Sequence, residues 1–377
     1  MSSSQNRILT SHVGALPRPP GLPGSAPIPA DVEWMDPAKA TREVVQQQRA
    51  CGIDIVNDGE FGKVNFLRYV HDRLSGMTLR ELKPGEQHSA DSMANRDREI
   101  FPQYFAAKGR IARPMIECTG PVRFTGHDAI AADIANLRGF IAAAGGGEDF
   151  LTQGFLTSVS PNMVALAMPN AYYKREEEYR IALTEAMHDE FRAITDAGLL
   201  LQVDDPGFAH AWQNHPEWSL KECLAWCSEG VKLLNHALRD CPPERVRLHM
   251  CWGSYHGPHV VDLELRQLID LLYQMNVGCY SIEGGNVRHE HEWQVFTEHK
   301  LPDGRTLMPG VVSHATDTVE HPELVAQRLL RYAEVVGREH VIAGTDCGMM
   351  RVHPEICWAK LDAMVAGAKL ASTRLWP

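Results

Sequence analysis

The chain has 377 residues, of which 44% are hydrophobic and 23% are charged, a composition that excludes intrinsic disorder and collagen. Its 48 acidic and 37 basic residues leave a net charge of -11, which argues against a broad surface for nucleic acid. No stretch approaches the roughly 18 apolar residues of a membrane span, and the N-terminus lacks the hydrophobic core of a signal peptide. We therefore expect a cytoplasmic protein without membrane contact that acts on small molecules.

Short apolar runs alternate with amphipathic stretches of helical period along the chain. The runs lie at 8–13, 53–56, 114–118, 155–159, 199–203, 246–250, 279–282, 307–312 and 341–343, and helices are predicted at 37–50, 176–197, 222–239, 263–275 and 322–336. This alternation predicts a parallel sheet covered by helices, closed into a single (β/α)8 TIM barrel over residues 1–377. Nine runs exceed eight strands, so one run is expected to form a lid or cap.

The region from about 61 to 113 contains no clear strand, and we expect it to be an inserted loop over one mouth of the barrel. Polar residues follow nearly every predicted strand, and in a parallel barrel these strand ends converge on the face that carries active sites. The polar strand-end residues are His12, Asn57 to Glu60, Asp204, Asp205, His249, Cys251, Glu283, His314, Asp346 and Cys347.

His249 and Cys251 form the sharpest local motif, because alternate residues of a strand point to the same side. This spacing alone is a weak metal signal, but Glu283 and Cys347 at later strand ends strengthen it. One imidazole, two thiolates and one carboxylate suit Zn²⁺ better than Mg²⁺ or Ca²⁺. The alternative is that the two cysteines are buried small hydrophobic residues, since nine cysteines without a secretory signal indicate free thiols or metal ligands rather than disulfides.

Six motifs, in this order along the chain, resemble the catalytic barrel of the cobalamin-independent methionine synthase superfamily. They are His12-Val-Gly14, Asn57-Asp-Gly-Glu60, Asp204-Asp-Pro206, His249-Met-Cys251, Ser281-Ile-Glu283 and Asp346-Cys347-Gly348, and the similarity runs from about residue 7 to 375. The superfamily also includes zinc-dependent coenzyme M alkyltransferases, such as epoxyalkane:coenzyme M transferase. The stretch from Glu283 to Trp293 resembles the stand-alone, single-barrel members.

The resemblance implies one zinc ion per chain, held by His249, Cys251, Glu283 and Cys347. It also implies that Gly14, Glu60 and Asp204 line the pocket for a thiol substrate, and we extend this substrate site to His12, Asp58 and Trp252. The family pattern is not complete, because Ala15 stands where the family often has Ser and residues 312–317 differ from its Asp-x-His element. A folate donor and the family's proton relay are therefore not implied.

The predicted ligand set explains what the zinc site is for. A thiol with a pKa of about 8.5 becomes a nucleophile when it loses its proton, and metal coordination removes that proton. Two thiolates and a carboxylate keep electron density on a bound sulfur, whereas sites that activate water more often use neutral His ligands. We expect Glu283 to be the labile catalytic ligand. The candidates for the proton donor to the leaving group are His314, Asp317 and His321, with Asp58 and Glu60 across the pocket, and Asp317 is a candidate to orient His314.

These features predict a zinc-dependent thiol S-alkyltransferase, with methyl transfer to a small thiol such as homocysteine as the first reading. A carboxylate pair at Glu60 and Asp204 suits the amino group of such a substrate. One alternative is an epoxyalkane:coenzyme M transferase, in which the thiolate opens an epoxide. Another is a non-catalytic methyl-carrier or corrinoid-binding protein with a structural zinc. The partners are the thiol and an alkyl or methyl donor, and a homo-oligomer is left open.

Overall fold

Seven parallel strands form the central sheet of the computed structural model, which describes residues 4–22, 35–109, 114–145, 154–253 and 255–377. The strands are β1 (Leu9–Thr10), β4 (Phe155–Val159), β5 (Leu200–Asp204), β6 (Val246–Met250), β7 (Cys279–Ile282), β8 (Thr306–Val312) and β9 (Ile342–Thr345). They are hydrogen-bonded in the order β1-β9-β8-β7-β6-β5-β4. Each strand from β4 to β9 is buried along its whole length, as expected for a parallel sheet covered on both faces.

The sheet is curled, because one segment of chain contacts both of its outer strands. The Ile55 N–H donates to the Thr10 carbonyl oxygen at 3.0 Å, and the Phe155 N–H donates to the Val56 carbonyl oxygen at 3.0 Å. Val56 also forms an isolated parallel bridge with Gly154. The α/β architecture is therefore consistent with a TIM-like barrel, and the alternation of strands and helices was read correctly from the sequence.

Helices alternate with the strands along the chain. They are α1 (Pro37–Cys51), α2 (Val70–Arg73), α3 (Ser89–Ser92), α4 (Asn95–Ile100), α5 (Pro102–Lys108), α6 (His127–Ala143), α7 (Pro161–Ala167), α8 (Glu176–Asp196), α9 (Gly207–Asn214), α10 (Leu220–Ala237), α11 (Leu265–Leu272), α12 (Val295–Glu298), α13 (Pro322–Val336) and α14 (Pro354–Leu375). Short 3₁₀ helices lie at Pro243–Arg245, Glu290–Gln294 and Arg338–His340. Within the described part of the chain, none of the helices is long and apolar enough to cross a membrane.

Alternation along the strands separates two cores. The inner core contains Val13, Ile55, Phe155, Leu200, Cys279, Met308 and Ile342, and the larger outer core lies between sheet and helices. In β6 the side chains of Val246, Leu248 and Met250 belong to the outer core. The intervening positions are Arg247, whose guanidinium donates to Gln202 at 2.7 Å inside the sheet, and His249. The same alternation directs Cys251 inward, so the strand period aims two chemically reactive residues at one side.

The region between 61 and 113 differs from its prediction, because it contains a strand. Strand β2 (Met77–Arg80) pairs antiparallel with β3 (Met115–Cys118), outside the parallel sheet. The run at 114–118 is therefore the extra strand candidate that was expected to form a cap. The short helices of this region are fixed to the barrel loops by buried Asp97, which accepts hydrogen bonds from the Tyr255 hydroxyl at 2.7 Å and the Val260 N–H at 3.2 Å.

Candidate metal and thiol-binding site

Three of the four predicted metal ligands lie together. The ligand atoms of His249, Cys251 and Cys347 are all within 4.8 Å of one another, and the two sulfur atoms are 3.6 Å apart. His249 and Cys251 come from the carboxyl end of β6, and Cys347 comes from the loop after β9. The two thiols are separated by 96 residues in the chain, so only the order of the parallel strands brings them together.

The His249 ring presents a free nitrogen to this cluster. Its Nδ1 is 3.1 Å from the Ser281 hydroxyl, whereas its buried Nε2 has no hydrogen-bond partner among the described residues. Burial, followed by the charge of Arg247, lowers the pKa of His249 to about 3, so the imidazole is neutral and keeps a lone pair. An unpartnered buried nitrogen beside two sulfurs fits a soft divalent cation.

The two thiols also favour a cation between them. The hydrogen bond with Cys347 and burial both raise the pKa of Cys251, because two adjacent thiolates in a buried site repel each other. Both sulfurs can therefore be anionic only where a positive charge compensates them. This is the arrangement that zinc sites with two cysteine ligands provide.

Glu283 lies close to the cluster but outside the group of three. Its Oε1 accepts a hydrogen bond from the Trp252 N–H at 2.9 Å, and its Oε2 accepts one from Asn286 Nδ2 at 3.0 Å. Burial, followed by the charge of Asp346, raises the pKa of Glu283 to about 7. The negative charge of Glu283 in turn raises the pKa of Cys251, so the carboxylate lies near the thiols. It is not among the three ligand atoms that lie within 4.8 Å of one another. Three of the four predicted ligands are thus clustered, and Glu283 is not.

A cavity of about 630 Å³ opens beside the cluster, and His249, Cys251 and Cys347 lie in its wall. Glu60 and Asp204 line the same cavity. Glu60 Oε1 accepts from the Thr157 hydroxyl at 2.9 Å, while its buried Oε2 has no partner in the described parts of the chain. Burial, with a contribution from the charge of Glu60, raises the pKa of Asp204 well above its usual value. Two carboxylates in one cavity suit a cationic group of a ligand.

The glycine at position 14 gives Glu60 its room. Gly14 has φ +126°, and a Cβ atom there would lie 2.6 Å from Thr157 Cγ2 and 3.1 Å from Glu60 Oε1. Glu60 itself has φ +61°, an uncommon backbone conformation for a residue other than glycine. The backbone strain therefore occurs at the residue whose carboxylate faces the cavity, as is common at binding sites.

Four residues predicted to bind substrate are not among the described residues that line this cavity, namely His12, Gly14, Asp58 and Trp252. His12 is buried with both ring nitrogens bonded, Nε2 to Gln48 Oε1 at 2.8 Å and Nδ1 to the Gly14 N–H at 3.2 Å. Asp58 faces a separate cavity of about 40 Å³ beneath the start of α1. Trp252 stacks on another ring, that of His289, with centroids 3.7 Å apart. These side chains pack around the site instead of facing the cavity. The prediction failed because a strand-end motif does not fix the direction of every side chain.

The predicted proton donor and its orienting group are also apart. His314 is buried, and its Nδ1 lacks a partner, but it is not among the described residues that line the cavity. Asp317 is exposed and makes no hydrogen bond with His314, so the expectation that it orients this ring does not hold. The loop is positioned instead by Glu320, which accepts from the Ser313 N–H at 2.8 Å and from Lys360 Nζ at 2.9 Å.

His210 is a cavity residue that the sequence analysis did not single out. His210 is only 3% exposed, and the Trp252 backbone and Asp262 are polar neighbours of its ring. It lies in the first turns of α9, directly after the strand end that carries Asp204. Its position at the start of a helix that directly follows a barrel strand could have indicated this, since the segments after barrel strands line the mouth of the barrel.

Residues 153–370 match a family model described as the catalytic domain of cobalamin-independent synthase. A methionine synthase of Sulfolobus acidocaldarius is 23% identical over 100% of this chain and 95% of that protein. A 2-hydroxypropyl-CoM lyase of Xanthobacter autotrophicus is 21% identical over 55% of this chain and 59% of that protein.

Among solved structures, a B12-independent methionine synthase from Shewanella sp. W3-18-1, in complex with selenomethionine, has a TM-score of 0.73. It is 22% identical, and the match covers 98% of this chain and 99% of that chain. A putative vitamin-B12 independent methionine synthase from Listeria monocytogenes has a TM-score of 0.63 at 19% identity, covering 97% of this chain and 98% of that chain. At these identities the structural likeness shows a shared fold.

Proposed function

Because the chain belongs to the cobalamin-independent synthase family, in its catalytic domain, we propose that it is a zinc-dependent thiol S-alkyltransferase. The reaction is transfer of a methyl group to a small thiol of the homocysteine kind. The observation that carries this proposal is the meeting of His249, Cys251 and Cys347 at the wall of a cavity that also holds two carboxylates. Motif order and family membership support the same reading.

The proposed scaffold is a closed (β/α)8 barrel. In this reading the segment at 53–57 takes the place of the eighth strand, because it bonds to β1 on one side and to β4 on the other. The cavity then lies at the carboxyl ends of the strands, where barrel enzymes carry their active sites.

His249, Cys251 and Cys347 are the residues that would hold zinc, with Glu283 as the fourth, labile ligand. A zinc ion bound by two thiolates lowers the pKa of an incoming thiol, so that the sulfur is a nucleophile near neutral pH. The hydrogen bonds from the Trp252 N–H and Asn286 stabilise the Glu283 carboxylate when it is not a ligand. These two hydrogen bonds hold the Glu283 carboxylate away from the ligand cluster while the substrate occupies the site.

The remaining cavity groups bind and orient the thiol substrate. Glu60 Oε2 and the carboxylate of Asp204 accept hydrogen bonds from its ammonium group, and the positive charge relieves the repulsion between the two buried acids. The Ser281 hydroxyl fixes the ring of His249 so that Nε2 faces the thiols. Tight packing around Gly14 holds Glu60 in place.

Opening of an epoxide by coenzyme M is a second candidate, favoured by the similarity to a protein named 2-hydroxypropyl-CoM lyase. A non-catalytic protein with a structural zinc is less well supported. A structural zinc is closed by four protein ligands, whereas the three clustered ligands here border an open cavity that a substrate can enter.

The test is proton release on thiol binding, measured by calorimetry of the zinc-loaded protein in buffers of different ionisation enthalpy. We expect about one proton per bound thiol near neutral pH, because the thiol binds as its anion. Cys347→Ser should lose this release, and Cys51→Ser, at a half-buried cysteine away from the cluster, should keep it. Release with homocysteine and not with coenzyme M selects methyl transfer, and the reverse selects epoxide opening. No release from the unsubstituted protein with either thiol would contradict the proposal.

A further inference from the structure

Lys63 is a buried cation that is connected to the Glu60 carboxylate through Thr157. It is 4% exposed, and it is not among the described residues that line the cavity. Its Nζ donates to the carbonyl oxygen of Thr157 and, at 3.0 Å, to the Thr157 hydroxyl. The ammonium group also lies 4.5 Å from the centroid of the Tyr69 ring, a favourable cation–π distance. One threonine and one aromatic ring thus hold this charge inside the protein.

The hydrogen bonds around the Thr157 hydroxyl run in one direction. An ammonium group is a donor only, so this hydroxyl accepts from Lys63. The hydroxyl hydrogen is then donated to Glu60 Oε1, which lies 2.9 Å away. This chain of hydrogen bonds fixes one oxygen of Glu60. It leaves the other, Oε2, buried and without a partner in the described part of the chain, available to a ligand.

The local backbone and packing fit this arrangement. The Lys63 N–H donates to the Glu60 carbonyl oxygen at 3.1 Å, which closes a tight turn over residues 60–63. Thr157 belongs to β4, which is buried along its whole length, and Thr157 Cγ2 packs closely against Gly14. Packing therefore fixes the Thr157 side chain with its hydroxyl between Lys63 and Glu60.

Lys63 also offsets negative charge in the cavity wall. Burial and, after it, the charge of Glu60 raise the pKa of Asp204. A hydrogen bond from Gln202 opposes this rise, and so do the charges of Lys63 and Arg247. Two neighbouring buried acids otherwise favour protonation of one of them. Lys63 thus favours the ionised form of Asp204, which is the form that accepts hydrogen bonds from an ammonium group.

We propose that Lys63, acting through Thr157, is the positioning residue that makes the thiol site selective for thiols that carry an ammonium group. This inference rests on the proposed function. Lys63 does not touch the substrate. It sets the direction of the Glu60 carboxylate and supports the charge on Asp204, and these two acids bind the ammonium group. A thiol without an amino group gains nothing from Lys63.

The experiment measures the binding of two thiols to the zinc-loaded protein by calorimetry. They are homocysteine and 4-mercaptobutyrate, which is homocysteine with its amino group replaced by hydrogen. In Lys63→Met we expect homocysteine to bind roughly 10- to 100-fold more weakly, the scale of one charge-assisted hydrogen bond, and 4-mercaptobutyrate to change by less than about threefold. Retention of zinc shows that the variant is folded.

Variants of Thr157 test the connection between Lys63 and Glu60. Thr157→Val keeps the shape of the side chain and removes the hydroxyl, so it should cause the same selective loss of homocysteine binding. Thr157→Ser keeps the hydroxyl and should retain most of the affinity. If the hydrogen bonds act as one unit, the loss in the double variant Lys63→Met, Thr157→Val should be close to that in either single variant.

Lys360→Met is the matched control. Lys360 is also buried, but its Nζ donates to Glu320 at 2.9 Å, and it is not among the described residues of the cavity wall. This change should leave the ratio of the two affinities unaltered. A ratio in Lys63→Met and Thr157→Val that stays within about threefold of the parent ratio would overturn the assignment of Lys63, and so would a parent protein that binds both thiols equally well. If the zinc-loaded parent binds neither thiol with proton release, the proposed function itself fails, so the two failures are distinguishable.

Discussion

Replacing Gly14 with Ala tests whether backbone geometry, and not only residue type, builds the thiol pocket. The φ of +126° is strained for any residue with a Cβ atom, at roughly 1–3 kcal/mol. The new methyl group would also approach Thr157 Cγ2 to 2.6 Å, and overpacking of this kind costs roughly 1–3 kcal/mol. We therefore expect Gly14→Ala to lower the free energy of unfolding by about 2–6 kcal/mol.

The assay is urea unfolding of the metal-free protein, followed by thiol binding to the zinc-loaded variant. Binding should weaken because the Cβ atom also reaches within 3.1 Å of Glu60 Oε1 and displaces this carboxylate. Gly139→Ala is the matched control, since Gly139 lies in the interior of α6 and a Cβ atom there meets nothing within 4 Å. That change should stabilise the protein by roughly 0.5–1 kcal/mol. A Gly14→Ala stability within about 0.5 kcal/mol of the parent would refute this reasoning.

Two further predictions concern buried charges. Arg73→Met should destabilise the protein by roughly 3–5 kcal/mol in urea unfolding, because Glu190, 1% exposed and 2.6 Å from the guanidinium, would lose its only cationic partner among the described residues and keep only hydroxyl donors; a loss below about 1 kcal/mol would contradict this. Burial opposes the charge of His289, but hydrogen bonds to Asp262 and Glu292 outweigh it and raise its pKa to about 9. The raised pKa of His289 contributes on the order of 3 kcal/mol to the free energy of unfolding. This stabilisation should be complete below about pH 6.5 and lost as the pH rises through 9. His289→Gln should flatten that part of the curve of stability against pH.

The period of the strands explains which site residues could be predicted from the sequence. Val246, Leu248 and Met250 mark the outward positions of β6, so His249 and Cys251 had to point inward. The direction of a side chain in a loop has no such rule. Glu283 turns its oxygens to the Trp252 N–H and to Asn286, and neither partner is identifiable from a motif.

Local hydrogen bonds also decided the fate of other predicted residues. His12 turns to Gln48 of α1 because this amide, 36 positions along the chain, packs beneath it. His210 was missed because its place in the cavity wall is visible only when the fold is known. Strand β2 was missed because its four residues, Met77–Arg80, are too short to show a clear period before their partner strand is known.

Zinc-edge X-ray absorption of the loaded protein, before and after addition of a thiol, tests the central claim most directly. The account predicts two sulfur ligands, from Cys251 and Cys347, in the free protein and three when the substrate thiol is bound. A sulfur count that remains at two in the presence of saturating thiol, or zinc without sulfur ligands at all, would contradict it.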